Sequence, residues 1–505
     1  MSLIRGELSH YVANAQTRRL FSHCAPLLLL LIAFPLLPAW SQILQPGDTS
    51  QPLDQHPSEI HVDFYMTPEE AAHLLAAVDQ VIDFDSNVTG LPIRGHVERQ
   101  LTGRSRLKLK VEKRLQEDAS AKRVQRSSLV LKKFGFIPHD FDLSRFAAES
   151  LAAEVAGYYE ARTKTIYLMD WLPTRAQLPI VAHELTHALQ DQNFGLEKWL
   201  EFDADNNLSE AEIDDQKTAR RAVTEGQAQA VMVDYMLAPF GKTLQQLPPL
   251  GLAAVQKTAP QPNSLGWQTA PLFLREAAGF PYSYGFEFIH ELLIKGGKQR
   301  AFSGVYKNPP RSTRQIMEPN TYLSGEKLPR LKVPVIEPVL GSQYEKLEIG
   351  AMGEFEAMVF VKQFGSPDQV KRIPPQWRGG YYYAAHRVSK PGEDDTKLAK
   401  GGGRGDIPSK TEETALLYVS RWATPAIARE FADLYRSSLS NRYPGALSQP
   451  GAERPLTPEE VGRWNTAEGL VILQIKGDLV MALESFDETT ASRLSSLVLK
   501  EDAHD

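Results

Sequence analysis

Apolar positions along the chain follow two periods, and the periods divide it into elements. Leu74, Leu75, Val78, Val81 and Ile82 recur at helical spacing. Just ahead stands Thr67-Pro68-Glu69-Glu70, with an N-cap side chain, a first-turn proline and acids where the helix dipole favours them. A helix is predicted there. The basic stretch Arg94–Lys133, carrying Leu101, Leu107, Leu109, Val111 and Leu115, reads as an exposed strand followed by a helix. Val155–Leu168 reads as a hairpin, with Gly157-Tyr158-Tyr159 and Thr165-Ile166-Tyr167-Leu168 around the turn Ala161–Lys164. One reading makes it the edge of a cleft where an extended peptide adds a strand; the other makes it an ordinary structural hairpin. Next, Val181, Leu185, Ala188 and Leu189 form one helical face, with Pro179 suited to the first turn and Gly195 to the stop. Ser209 with Glu212 three residues later is a capping box opening a helix that runs to about Leu237. Asn263–Gly297 passes from a loop into a helix faced by Phe286, Phe288, Ile289, Leu292 and Leu293, with Tyr282 and Tyr284 just ahead of it.

Pro329, Pro334 and Pro338 then enforce an extended run, the natural place for a domain boundary. Beyond it the pattern predicts a helix near Gly353–Phe364 and strands over Gly379–Val388 and Thr414–Trp422. Between the strands lies a charged, Gly-rich, mobile loop over 389–413. A helix capped by Thr424-Pro425, a hairpin around Lys476-Gly477-Asp478 and a last helix at about Glu488–Lys500 follow. The class is α+β.

A chain of 505 residues exceeds one ordinary core. Apolar content of 42% and charged content of 23% are globular values and argue against overall disorder. A net charge of −6 without a long Lys/Arg block lacks the footprint of a nucleic-acid binder. Arg5, Arg18 and Arg19 precede the apolar run Ala25–Pro38, and Ala39-Trp40-Ser41 has the small-x-small cleavage pattern. Residues 1–41 therefore read as an export signal to the periplasm or the exterior, with 42–59 as a flexible linker. An uncleaved membrane anchor is the alternative, although the run is short and ends in Pro38. Thr17-Arg18-Arg19-Leu20-Phe21 is similar to a twin-arginine signal, whereas the leucine run fits the general secretory route; both stay open. The sole cysteine, Cys24, falls in this leader. A mature chain would then have no disulfide and no thiolate ligand, so a metal would be held by His and carboxylates.

Such residues stand at Ala182–Asp191. His183 and His187 are four apart, so a helix stacks them on one face, where they can grip one metal ion. Glu184, beside the first, reaches a water on that metal. The competing reading is a chance match on an exposed charged helix. Against it, Ile180–Leu189 contains no Lys or Arg and is mostly apolar, and two His and a Glu on a buried face need polar partners or a metal. A third ligand is Glu225, the one glutamate inside the apolar stretch Ala222–Val233, where Ala222, Gly226 and Ala228 let two helices approach. Tyr282, and after it Tyr284, is a candidate donor to a developing oxyanion, packing being the alternative. Asp203, Asp205 and Asn207 are spaced like the start of a calcium loop, but Leu208 stands where the turn glycine belongs.

The run H-E-L-T-H-A-L-Q-D from His183 to Asp191, followed by Glu225-Gly226-Gln227-Ala228, resembles the gluzincin clan of zinc metallopeptidases. The thermolysin family shares its first six residues. Extended through Gln192, the run is most similar to a group of secreted bacterial and archaeal metallopeptidases, as are Phe280–Gly285 and Pro309–Ile316. The resemblance covers roughly Val155–Leu323. It implies Zn²⁺ held by His183, His187 and Glu225, Glu184 as general base, and Asp191 as a supporting acid. The chain departs from thermolysin-like enzymes at Gln229, where they carry an acid. The metzincin pattern fails, because its Gly and third His would fall at Gln190 and Asn193.

The expectation is a mainly helical, zincin-like metallopeptidase domain with a small sheet over 60–330, then a smaller α+β domain over 331–505. The activity expected is zinc-dependent hydrolysis of a peptide or protein, with no nucleic-acid partner and no stable membrane span after signal cleavage. A non-catalytic envelope protein, its zinc site serving folding or partner binding, is the alternative; Glu184 speaks against it, since a structural site needs no base. A third reading gives the C-terminal part affinity for cell-wall or membrane material.

Overall fold

The stripe from Leu74 to Ile82 builds α1 (Pro68–Thr89), opened by the Thr67–Glu70 capping box and closed by Gly90 in the left-handed region. The computed structural model describes residues 66–201, 208–247, 265–329, 331–388, 411–443, 445, 447–448 and 460–501. The expected leader and linker, and all of the expected 389–413 loop except 411–413, lie outside these residues. So do Asp203, Asp205 and Asn207 of the calcium-like spacing.

The basic stretch forms strand β1 (Glu98–Thr102) and two helices rather than one, α2 (Arg104–Gln116) and α3 (Asp118–Lys133). After α4 (Leu143–Glu154) the hairpin appears as β2 (Gly157–Glu160) and β3 (Thr165–Met169). The small sheet has the order β1-β3-β2, with β1 parallel and β2 antiparallel to β3, so β2 is an edge.

Helix α5 (Thr174–Phe194) carries the His-Glu motif and stops at Gly195, φ 67°. It begins five residues before Pro179, not at it. The Gln177 amide bonds both the N–H and the carbonyl of Met169 and the carbonyl of Leu172, pinning an early first turn to the end of β3. The helix therefore absorbs the proline. Val181, Leu185 and Leu189 share a core with Leu74, Val78 and Val81 of α1 and with Ile166 and Leu168 of β3.

Helices α6 (Glu210–Leu237) and α7 (Leu272–Lys298) cross backbone to backbone. A Cβ on Gly226 would run into the Gly285 carbonyl, and one on Gly285 into the Ala222 carbonyl. Small residues are required here because two main chains touch. Helix α7 contains Pro281, so Tyr282 and Tyr284 lie inside it rather than ahead of it. Phe280, Phe286 and Phe288 are buried on both sides of the proline, and that packing outweighs the lost backbone bond.

The C-terminal part is a second sheet: β4 (Tyr344–Ala351), β5 (Trp377–Arg387), β6 (Thr414–Trp422), β7 (Leu447–Ser448), β8 (Glu460–Thr466), β9 (Gly469–Lys476) and β10 (Leu479–Glu484). Its order is β4-β5-β6-β10-β9-β8-β7, antiparallel at every step. Period-2 alternation gives it two apolar faces. Tyr382, Ala384, Leu416, Tyr418 and Val480 meet α8 (Glu354–Phe364) and α9 (Pro425–Arg442). Tyr381, Tyr383, Leu417, Val419 and Met481 meet α10 (Glu488–Glu501). Phe134, Phe136, Phe273 and Phe280 join Phe355, Phe360, Tyr418 and Tyr435 in the first of these cores, which thus draws on both sides of residue 331. The class is mixed α+β, as expected. No helix among the described residues is long and apolar enough to cross a membrane.

Candidate metal centre

Helix α5 is buried on nearly every side, including His183 and Glu184. Its imidazoles point at α6. His183 Nε2 and His187 Nε2 lie 3.2 Å apart. Glu225 Oε2 lies 3.3 Å from the first and 3.4 Å from the second. A tetrahedral ion with bonds of 2.0–2.1 Å spaces its ligand atoms by about 3.3–3.4 Å, so this triangle has the size a zinc ion needs. Two further observations fit. Glu225 Oε2 is buried and faces the two imidazole nitrogens, an anionic oxygen placed where a cation would be held. Among the described residues these three are the one group of His, Cys, Asp and Glu that converges closely enough to hold a metal. The other two glutamates of α6 are occupied, Glu210 with Lys346 and Glu212 in the helix cap.

Burial opposes charge on Glu225, but the imidazoles outweigh it, His187 above all, and hold its carboxyl far below the ordinary range. Burial likewise opposes charge on His187, yet Glu225 raises it to about 9. Without metal the two form an ion pair, and a divalent cation would take the place of the His187 proton. Glu184 does not join the triangle. Its Oε2 accepts the Tyr159 N–H of β2 at 2.9 Å. Burial raises its carboxyl above normal despite the pull of His183 and His187, the direction that suits a proton acceptor. Gly157 makes this contact possible, since a Cβ there would lie 2.9 Å from Ile180 Cγ2 and 3.6 Å from Glu184 Cγ.

Tyr282 is brought to the cluster, its ring centroid 6.2 Å from that of His183. Burial, then the negative charge of Glu225, pushes its hydroxyl well above the usual phenol range, so it stays a donor. Tyr284 lies two residues on, about 200° around the same helix, and burial raises it to about 12. Among the described residues Asp191 bonds no imidazole. It ties helix to hairpin, accepting from Tyr159 Oη and Lys164 Nζ at 3.0 Å each and from the Leu196 N–H at 3.1 Å. Gln229 is buried, and its Oε1 has no partner among the described residues.

Two residues that sequence reasoning did not single out stand behind His187. Gln190 Oε1 lies 2.8 Å from His187 Nδ1, and Gln190 Nε2 donates to Gln227 Oε1 at 2.9 Å. The available signal was a glutamine three residues after His187, hence on the same helix face. The Pro309–Ile316 stretch lies elsewhere. Its Arg314 pairs with Glu326 and Glu354, and Pro309–Ser312 borders a cavity of about 970 Å³ that none of the three converging side chains lines. No family model, no curated protein and no solved structure matches the chain.

Proposed function

We propose that the chain is an exported zinc-dependent hydrolase whose substrate is a peptide bond. One observation carries the reading: two imidazole nitrogens and a carboxylate oxygen from two helices form a triangle of 3.2–3.4 Å edges, with a separate buried carboxylate beside it. Bound zinc supplies Lewis acidity to a water and to the carbonyl under attack. Glu184 keeps one oxygen on the Tyr159 N–H and presents the other to the water. It takes the proton and hands it to the leaving amine. The Tyr282 hydroxyl, which keeps its proton, would donate a hydrogen bond where negative charge grows on the carbonyl oxygen. Edge strand β2 offers main-chain groups to an extended substrate. Peptide is the substrate class because this donor set with an adjoining carboxylate resembles that of peptidases.

A digest of a mixed peptide library by the mature protein, with zinc content measured in parallel, tests the reading. One equivalent of zinc and cleavage abolished by a chelator is the expected result. Zinc bound with no peptide cleaved would favour the non-catalytic envelope protein instead.

A further inference from the structure

The polarity of the hydrogen bonds behind His187 can be read from groups that admit only one role. Backbone carbonyls only accept. Gln227 Nε2 lies 2.6 Å from the Ala301 carbonyl and 3.2 Å from the Phe302 carbonyl, so this end of the amide is the NH₂. Turning it over would set its oxygen against two others. Gln227 Oε1 must then face the other way, where it accepts from Tyr306 Oη at 3.1 Å and from Gln190 Nε2 at 2.9 Å. Gln190 Nε2 also donates to the Thr224 carbonyl at 3.0 Å, which fixes the second amide independently. Gln190 Oε1 is therefore the atom at His187, and His187 Nδ1 must carry a hydrogen to meet it. The Nε2 lone pair is what remains for a metal. Both glutamines are fully buried, so water cannot reverse the order. The anchoring carbonyls belong to a π-helical segment, Gln299–Gly304, a form that recurs at functional sites.

We propose that Gln190 and Gln227 are positioning residues, an amide relay anchored on backbone carbonyls that makes His187 present Nε2 to the metal. The relay rests on the zinc reading above. It runs from α5 through α6 to the segment after α7, and so also locks the ring plane.

Two variants of the full chain separate the role from simple packing. Gln190→Met keeps the length and removes the acceptor. Gln190→Glu keeps an acceptor for Nδ1–H but has no hydrogens for the Thr224 carbonyl and Gln227 Oε1. Thermal midpoints should fall in both. Zinc affinity, read by competition with a chromogenic chelator, should fall about 10–100-fold in Gln190→Met, and stay near wild type in Gln190→Glu. In metal-free protein the His187 Nδ1 proton should give a slowly exchanging downfield NMR signal in wild type and Gln190→Glu, lost in Gln190→Met. Equal zinc affinity and an unchanged Nδ1 signal in Gln190→Met would overturn the relay. If Gln190→Met does not fold, Gln190→Leu, which also lacks an acceptor for Nδ1–H, replaces it, and the same two unchanged readouts overturn the relay. A wild type that binds no zinc would sink the zinc reading alone, because the Nδ1 signal is measured without metal.

Discussion

Glu184, fully buried, and Glu225, half-buried, lie within reach of the same imidazoles, and their surroundings assign them opposite tasks. Glu225 meets both Nε2 atoms and is held ionised; Glu184 is fixed by a backbone N–H and keeps a raised affinity for protons. Glu184→Gln should keep zinc and fold, because the amide can turn its oxygen to the Tyr159 N–H. Turnover should fall by about 10²-fold or more for a lost general base; kinetics on a peptide found by the library digest, beside zinc analysis, checks both halves. Glu225→Ala should lose zinc, whereas Glu212→Ala should lose only a cap, worth about 1 kcal/mol. Equilibrium dialysis of the pair distinguishes them. Asp85 of α1 poses a different problem, being fully buried with neither carboxylate oxygen bonded among the described residues. Burial pushes its carboxyl well above the ordinary value. The folded state thus favours the proton. This stability is complete below the unfolded pKa of about 4 and is lost as pH rises towards the folded value, by up to about 1.4 kcal/mol per pH unit. Urea melts at several pH values should show that decline in the wild type and a flatter profile in Asp85→Asn. The convergence of His183, His187 and Glu225 was legible in the sequence because a four-residue spacing and an isolated glutamate in an apolar run are local facts. Gln190 and Gln227 were not, because a buried amide has meaning only through its partners, and the π-segment carbonyls lie more than 70 residues from Gln227 along the chain.

Among the elements, the crossing of α6 and α7 sets the distance between Glu225 and everything α7 brings. The small-residue stretch around Glu225 pointed to a close helix approach, and main-chain contact at Ala222, Gly226 and Gly285 is its realised form. A methyl at this point meets backbone, which no rotamer change can relieve. Gly285→Ala should therefore cost about 1–3 kcal/mol or more, and weaken zinc binding as the helices part. Gly279→Ala, six residues earlier in the same helix, meets nothing within 4 Å. It should stabilise by about 0.5–1 kcal/mol, the difference in helix propensity. Chemical denaturation of the two variants side by side checks the contrast. Helix starts were the least legible feature. Pro179 and Pro281 look like boundaries, yet both lie inside helices that tertiary packing holds across the gap.

Taken whole, the molecule is bound across its length by a core and by a buried charged cluster. Lys133 of α3 reaches Glu468 and Ser485, while Arg442 of α9 grips Glu484 with both carboxylate oxygens at 2.7 Å. Tyr435 and Tyr443 donate to the same carboxylate. Glu484→Ala would strand the Arg442 charge in the interior and should cost about 3–5 kcal/mol. Because one core spans both parts, zinc release and loss of the large sheet should coincide in a single thermal transition, visible by parallel calorimetry and chelator fluorescence. The C-terminal helices and the strands β5, β6, β9 and β10 were legible from local pattern. Strand β4, rich in charge, and β8 were not, and sheet order depends on pairings far apart in sequence. The hairpin on α5 has its own bearing on what the site can admit. With Gly157 seated on Ile180 and Glu184, and Asp191 bolting the strand to the helix through Tyr159 and Lys164, neither wall can swing away. Under the proposed peptidase reading, an edge strand held this firmly favours a guest that can lie beside it as an extended chain. Such an enzyme would discriminate first between slack and structured chains, and unfolding, rather than side-chain choice, would decide which proteins it consumes.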